Sequence, residues 1–315
     1  MKPLIILTGP TAVGKTEFSV KLAKKINGEI ISADSIQVYK YMDIGSAKVT
    51  EEETEGIKHY LIDEFYPDEE FNITVFQERA RQYIEEIYAK GKIPIIAGGT
   101  GFYIQSVLYD VKFSDTETDT EYRKQLEELA KSRGNNYLHD MLRKVDKTSA
   151  ENIHCNNVKR VIRALEYYKQ TGQKISEHNE EQSKNTSPYN FIYFVLNDDR
   201  EKIYDRINRR VDVMMNEGLK DEVEGLLKKG YSKELVSMQG IGYREMAEHL
   251  NGDCSLEEAV YNIKINTRHF AKRQLTWFRR EKEVTMVDYR DFNYDKEKMI
   301  NFMIEQICDK GIMRS

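Results

Sequence analysis

Eight residues near the start of the chain, Gly9-Pro10-Thr11-Ala12-Val13-Gly14-Lys15-Thr16, restrict its fold more than any other stretch. They follow an apolar run that reads as a strand, residues 3–8, and lead into a helical pattern from about residue 14 to 26. A strand, the pattern G-x-x-x-x-G-K-[ST] and a helix together make a phosphate-binding loop. The glycines let successive backbone N–H groups curl around phosphate oxygens, and the helix N-terminus adds its dipole. Lys15 supplies a mobile positive charge, and the Thr16 hydroxyl can hold Mg2+. The pattern does not say which phosphate. Nucleoside triphosphates are the usual occupants, but any diphosphate ester satisfies the same donors.

Short β-rich runs recur at residues 29–32, 60–62 and 93–97, with helical stretches between them, one over residues 75–89. Strands alternating with helices imply a parallel sheet with crossover helices. From about Ser114 the texture changes: residues 115–155 are charged and helical, and residues 175–190 are polar and turn-rich. Residues 191–196 then read as a buried strand, and 284–287 as a last one. The expectation is an α/β fold with a P-loop NTPase-like parallel sheet core over residues 1–113 and 189–315. Into it a mostly helical domain, residues 114–188, is inserted. A length of 315 residues suits one core with one inserted domain, and 40% hydrophobic against 32% charged residues permits a sizeable core.

The apolar run at the N-terminus is too brief for a signal-peptide core, and no stretch is long enough to span a bilayer. Cys155, Cys254 and Cys308 are far apart and make no C-x-x-C spacing, so they read as separate reduced thiols. A cytoplasmic enzyme that avoids membranes is expected.

Two further segments fall where a parallel sheet places its active edge. Asp34 follows the second strand, so its carboxylate faces the phosphate loop. There it can take a proton from a nucleophile or hold Mg2+ through water; an N-cap of a following helix accounts for it equally well. Gly98-Gly99-Thr100-Gly101 follows the strand at 93–97, where a tight βα turn is the plainer explanation.

The formal net charge is −5, which taken alone speaks against nucleic acid. The average hides a patch. Residues 261–280 carry Lys264, Arg268, Lys272, Arg273, Arg279 and Arg280 and no acidic residue. Lys264, Arg268 and Lys272 share one helix face, while Ile263, Phe270 and Trp277 are expected to pack inward along another. Lys159-Arg160-Val161-Ile162-Arg163 and Arg206-Ile207-Asn208-Arg209-Arg210 are two further basic groups. Three such groups on an acidic protein point to a phosphate-rich polymer, a multiphosphate substrate, or both.

With these segments in view, the sequence resembles the bacterial tRNA dimethylallyltransferase family. The likeness runs nearly end to end. It includes the phosphate loop, Asp34-Ser35 with Gln37-Val38-Tyr39, the stretch Met42-Asp43-Ile44-Gly45-Ser46-Ala47-Lys48, and His59 with Leu61 and Asp63. It continues through Gly98 to Tyr103, Arg160 to Glu166, Gly240-Ile241-Gly242-Tyr243-Arg244-Glu245, and Ala271-Lys272-Arg273-Gln274-Leu275-Thr276-Trp277-Phe278-Arg279. The loop alone is unspecific; its combination with the last stretch is highly specific.

The resemblance implies transfer of a dimethylallyl group from dimethylallyl diphosphate to N6 of adenosine 37 of tRNA. In that reading Gly9, Pro10, Thr11, Ala12, Val13, Gly14, Lys15 and Thr16 cradle the diphosphate, and Thr16 assists Mg2+. Asp34 is the general base, and Thr100 and a lid-like Arg210 stabilise the leaving pyrophosphate. Contacts to the tRNA anticodon stem-loop are implied for Asp34, Ser35, Ile36, Gln37, Thr100, Arg123 and Lys159, Arg160, Val161, Ile162 and Arg163. Gln239, Gly240, Ile241, Gly242, Tyr243 and Arg244 complete that set. The enzyme is expected to be a monomer. A P-loop small-molecule kinase has the same loop and sheet but leaves the 261–280 helix without a task. A non-enzymatic RNA-binding nucleotide switch is a third reading. Nucleotide binding by the loop itself stays open.

Overall fold

The computed structural model describes residues 1–113 and 120–313, which form two compact units. The first comprises Met1–Leu108 and Ser187–Ser315, the second Tyr109–Thr186. The boundary expected at residue 114, and the start of the helical stretch at 115, lie outside the described residues.

The first unit opens with β1 (Lys2–Thr8), α1 (Lys15–Ile26), β2 (Gly28–Ala33), α2 (Glu51–Thr54), β3 (His59–Tyr60), α3 (Ile73–Ala89), β4 (Ile93–Gly98) and α4 (Gly101–Leu108). The second unit holds α5 (Thr120–Arg133), α6 (Asn135–Val145), α7 (Lys147–Asn152), α8 (Val158–Thr171) and α9 (Ile175–Gln182). The chain then returns with β5 (Tyr189–Asn197), α10 (Arg200–Glu217), α11 (Leu219–Lys228), α12 (Tyr243–Leu250), α13 (Leu256–Phe278), β6 (Val284–Asp288) and α14 (Lys296–Asp309).

The six strands form one sheet in the order β3-β2-β4-β1-β5-β6, and every pair is parallel. Leu4, Ile5, Ile6 and Leu7 of β1 are all fully buried, as a central parallel strand covered on both faces requires. Ile5 and Leu7 join Phe18 and Leu22 of α1 and Met299 and Met303 of α14 in one core. The register also sets the active edge. Thr8 pairs with Gly98, and Gly98 with Ala33. The next residues along the chain, Gly9, Gly99 and Asp34, therefore leave the sheet at one level.

The second unit is held by its own core, with Leu126, Leu138, Leu142, Val161, Ile162 and Leu165 buried together. Residues 175–182 are helical where the polar composition reads as turn. The first turn of α9 is tied down by Asp146, whose buried carboxylate accepts from both the backbone N–H and the hydroxyl of Ser176. In α13 the inward positions are Ala259, Ile263, Ala271, Gln274 and Phe278; Phe270 and Trp277 are only half-buried, contrary to the sevenfold spacing. Ala271 meets Ile203 and Ile207 of α10, and Gln274 reaches the backbone of Thr11 in the phosphate loop and of Gly99 in the β4–α4 turn. Among the described residues no helix is long and apolar enough to cross a membrane.

Candidate active site

The phosphate loop turns out of β1 on Gly9 and enters α1 through Gly14, whose φ of 96° lies in the left-handed region that favours glycine. Ala12 adopts φ 62° without being a glycine, a strained conformation of the kind held in place at functional loops. Lys15 folds back over the loop, its Nζ donating to the carbonyls of Gly9 at 3.1 Å and Pro10 at 2.9 Å. The loop is braced from behind by Tyr289, whose hydroxyl donates to the Val13 carbonyl at 2.8 Å.

Lys15 and Thr16 share a cavity with Ser19, Ser32, Asp34, Gln37, His59 and Gly98. Burial pulls the Lys15 ammonium down to about 8, Arg210 pushes the same way, and Asp34 opposes both. Arg210 is itself lowered by burial, with Glu53 and Asp34 acting against the shift. The Asp34 carboxylate is thus close enough to both cations to favour their charged forms beside the loop. Arg210 is carried within the continuous helix α10 rather than on a lid loop.

No helix follows Asp34, so the N-cap reading needs correction. Its Oδ1 accepts from the N–H of Ile36 at 2.9 Å and of Gln37 at 3.4 Å, an Asx turn that fixes the carboxyl plane. One oxygen is thus held by the turn, and the residue lines the cavity beside Lys15 and Thr16. Thr100 is placed beside it, its N–H donating to the carbonyl of Ala33 at 3.1 Å. Gln37 is held in the cavity by the loop that follows: its Nε2 donates to the carbonyls of Ala47 at 3.0 Å and Ser46 at 3.3 Å. That loop, residues 42–48, is anchored by Glu222, which accepts from the N–H groups of Asp43, Ile44 and Gly45 and from the Tyr243 hydroxyl.

The residues expected to meet RNA divide into two kinds. Lys159, Arg160 and Arg163 are exposed on α8, whereas Val161 and Ile162 are 0% and 3% exposed and belong to the core of the second unit. Arg123 is held by a two-point pair with the buried Glu166, at 2.8 and 2.6 Å. Gln239 is exposed; Gly240 packs on Ile36; Tyr243 is buried on Glu222; Arg244 pairs with Glu245. Ser35 and Ile241 are half-buried, and Gly242 is buried, its N–H donating to Glu245 at 2.9 Å. On α13, Lys264 pairs with Asp212 and Arg268 donates to Asn208, so both are turned toward α10. His269, Lys272, Arg273, Thr276, Trp277 and Arg280 line an open basic groove along the same helix.

Sequence reasoning missed Gln274, which bridges the phosphate loop and the β4–α4 turn, and it gave His59 no role in the cavity. His59 had a signal in its place just before the strand-like run at 60–62. Gln274 had none, because a glutamine among cations on a helix reads as solvent-exposed.

A family model described as IPP transferase matches residues 37–281. A tRNA dimethylallyltransferase of Lachnoclostridium phytofermentans is 58% identical over 314 residues, covering 100% of both chains. The solved tRNA isopentenylpyrophosphate transferase of Bacillus halodurans aligns with a TM-score of 0.74 at 45% identity, over 99% of this chain and 98% of that one. A eukaryotic dimethylallyltransferase acting on tRNA aligns with a TM-score of 0.80 at 29% identity, over 98% of this chain and 80% of that one.

Proposed function

The chain belongs to the IPP transferase family, and from that premise we propose that it moves the dimethylallyl group of dimethylallyl diphosphate onto N6 of adenosine 37 in tRNA. The observation that carries the reading is Asp34: its carboxyl is fixed through one oxygen in the cavity that also contains Lys15 and Thr16. The exocyclic amine of adenine is a poor nucleophile because its lone pair is delocalised into the ring. Asp34 takes a proton from it as attack develops. The N6–C1 bond forms, the C1–O bond breaks, and pyrophosphate leaves with the electron pair. Lys15, Arg210, Thr100 and the loop N–H groups stabilise that departing charge.

The donor set also suits Mg2+. Thr16 offers a hydroxyl, the sparse protein ligation expected when substrate phosphates and water complete the shell. When bound, the ion would add positive charge opposite the leaving diphosphate. Lys15 and Arg210 do the same from the protein side.

The adenine must leave its stack to meet a buried donor, so the reaction requires a flipped base. Exposed Lys159, Arg160 and Arg163 on α8 offer phosphate contacts to the tRNA, and the groove on α13 offers others. The reading places the enzyme in the cytoplasm, acting as a monomer. Incubation with unmodified tRNA, labelled dimethylallyl diphosphate and Mg2+ tests it. Label should appear in the tRNA at adenosine 37. No label, together with ATP hydrolysis or phosphorylation of a metabolite, would overturn the assignment.

A further inference from the structure

Gln274 sits on α13 but its amide lies between two parts of the active edge. The residue is 5% exposed. Its Oε1 accepts from the N–H of Thr11 at 2.8 Å, and its Nε2 donates to the carbonyl of Gly99 at 3.0 Å. An amide offers an acceptor on one side and donors on the other, so this pair of partners admits only one orientation. The surrounding sequence makes room for it. A Cβ on Gly99 would stand 2.2 Å from Nε2, and one on Gly101 would stand 2.3 Å from the Trp277 ring. The same point on Gly99 is 3.9 Å from Lys15 Nζ, so the amide, the turn and the lysine meet in one place.

We propose that Gln274 is a positioning residue for the diphosphate: it locks Thr11, in the phosphate loop, to the Gly99-Thr100 turn. The N–H of Thr11 is used by this bond, which leaves the N–H groups further along the loop to the phosphate. Lys15 and Thr100 then act on the diphosphate from sides whose separation the amide fixes. The link to dimethylallyl diphosphate rests on the function proposed above; the link to a diphosphate group does not. Neighbouring Lys272, Arg273, Thr276 and Trp277 face the basic groove, whereas Gln274 is turned to the loop. Its effect should therefore fall on the diphosphate and spare the RNA.

Two substitutions in the full-length protein test this. Gln274→Met keeps length and apolar bulk but removes both bonds. Gln274→Glu keeps the shape and the acceptor for Thr11 but sets a carboxylate against the Gly99 carbonyl and beside the diphosphate. Inorganic pyrophosphate binding is measured by calorimetry, RNA binding by filter retention, and KM and kcat in the transfer assay. With each hydrogen bond contributing as it usually does, Met should weaken pyrophosphate about tenfold and raise KM for the donor in step. Glu should weaken it further, and RNA affinity should stay within about twofold in both. Pyrophosphate binding unchanged in either folded variant would overturn the proposal, as would a parallel loss of RNA affinity. If the wild-type protein binds pyrophosphate but transfers no label, the functional reading fails while this inference stands.

Discussion

At the residue scale, the chemistry depends on Lys15 carrying its charge. Burial and Arg210 lower it from 10.5 to about 8, so kcat/KM for the donor should fall as pH rises above about 8. A bound diphosphate favours the charged form, and the matching limb of kcat should lie at higher pH. Coincident limbs in the two pH profiles would refute the assignment. The effect on stability has the opposite sense. Between about 8 and 10.5 the unfolded chain binds more protons at this lysine than the folded one, so its contribution to stability rises with pH across that window. Asp34→Asn keeps an oxygen for the turn but loses the base. Single-turnover transfer should drop roughly 10²- to 10⁴-fold while tRNA affinity holds; near-normal turnover would remove Asp34 from that role. The place of Asp34 at the active edge was legible because it ends a strand beside the phosphate loop, but a base and an N-cap fitted that place equally well. The Asx turn was not legible, since it depends on backbone geometry that no residue pattern records.

At the scale of elements, the loop at 42–48 contains no helix and is pinned by a side chain from α11. Three of its N–H groups and the Tyr243 hydroxyl converge on Glu222. Glu222→Ala would strand those donors and should cost about 2 kcal/mol, read from the midpoint of a urea titration. Because Ser46 and Ala47 hold Gln37, the same change should also raise KM for tRNA. A variant as stable as the parent would show that the loop is pinned elsewhere. Strands and major helices were legible from hydrophobic runs, since β1, β2, β4 and β5 are buried on both faces. The inward face of α13 was not. Ala271 packs on Ile203 and Ile207 of α10 and Gln274 bonds the backbone of Thr11 and Gly99, partners that no seven-residue spacing of large apolar residues records.

At the scale of the whole molecule, a net charge of −5 coexists with cations gathered on α8 and along α13. Replacing Arg160 and Arg163 with glutamine should lower the slope of log affinity for tRNA against log salt by about 2, one for each lost phosphate contact. An unchanged slope would take both residues off the interface. The family and the sheet were readable from motifs strung along the chain, but not which cations stay free. Arg123 and Lys264 look alike in sequence, and both are occupied by carboxylates that distant segments supply. The strand order has a consequence for synthesis on the ribosome. β1 is made before β4 and β5, and one of its flanks is covered once β4 emerges. Its other flank pairs with β5, which follows only after all of Tyr109–Thr186. Through that interval the nascent chain carries an apolar strand with an open edge, the situation most prone to wrong pairing. A unit with its own core, folding during the wait, would limit the chain available to pair there in error.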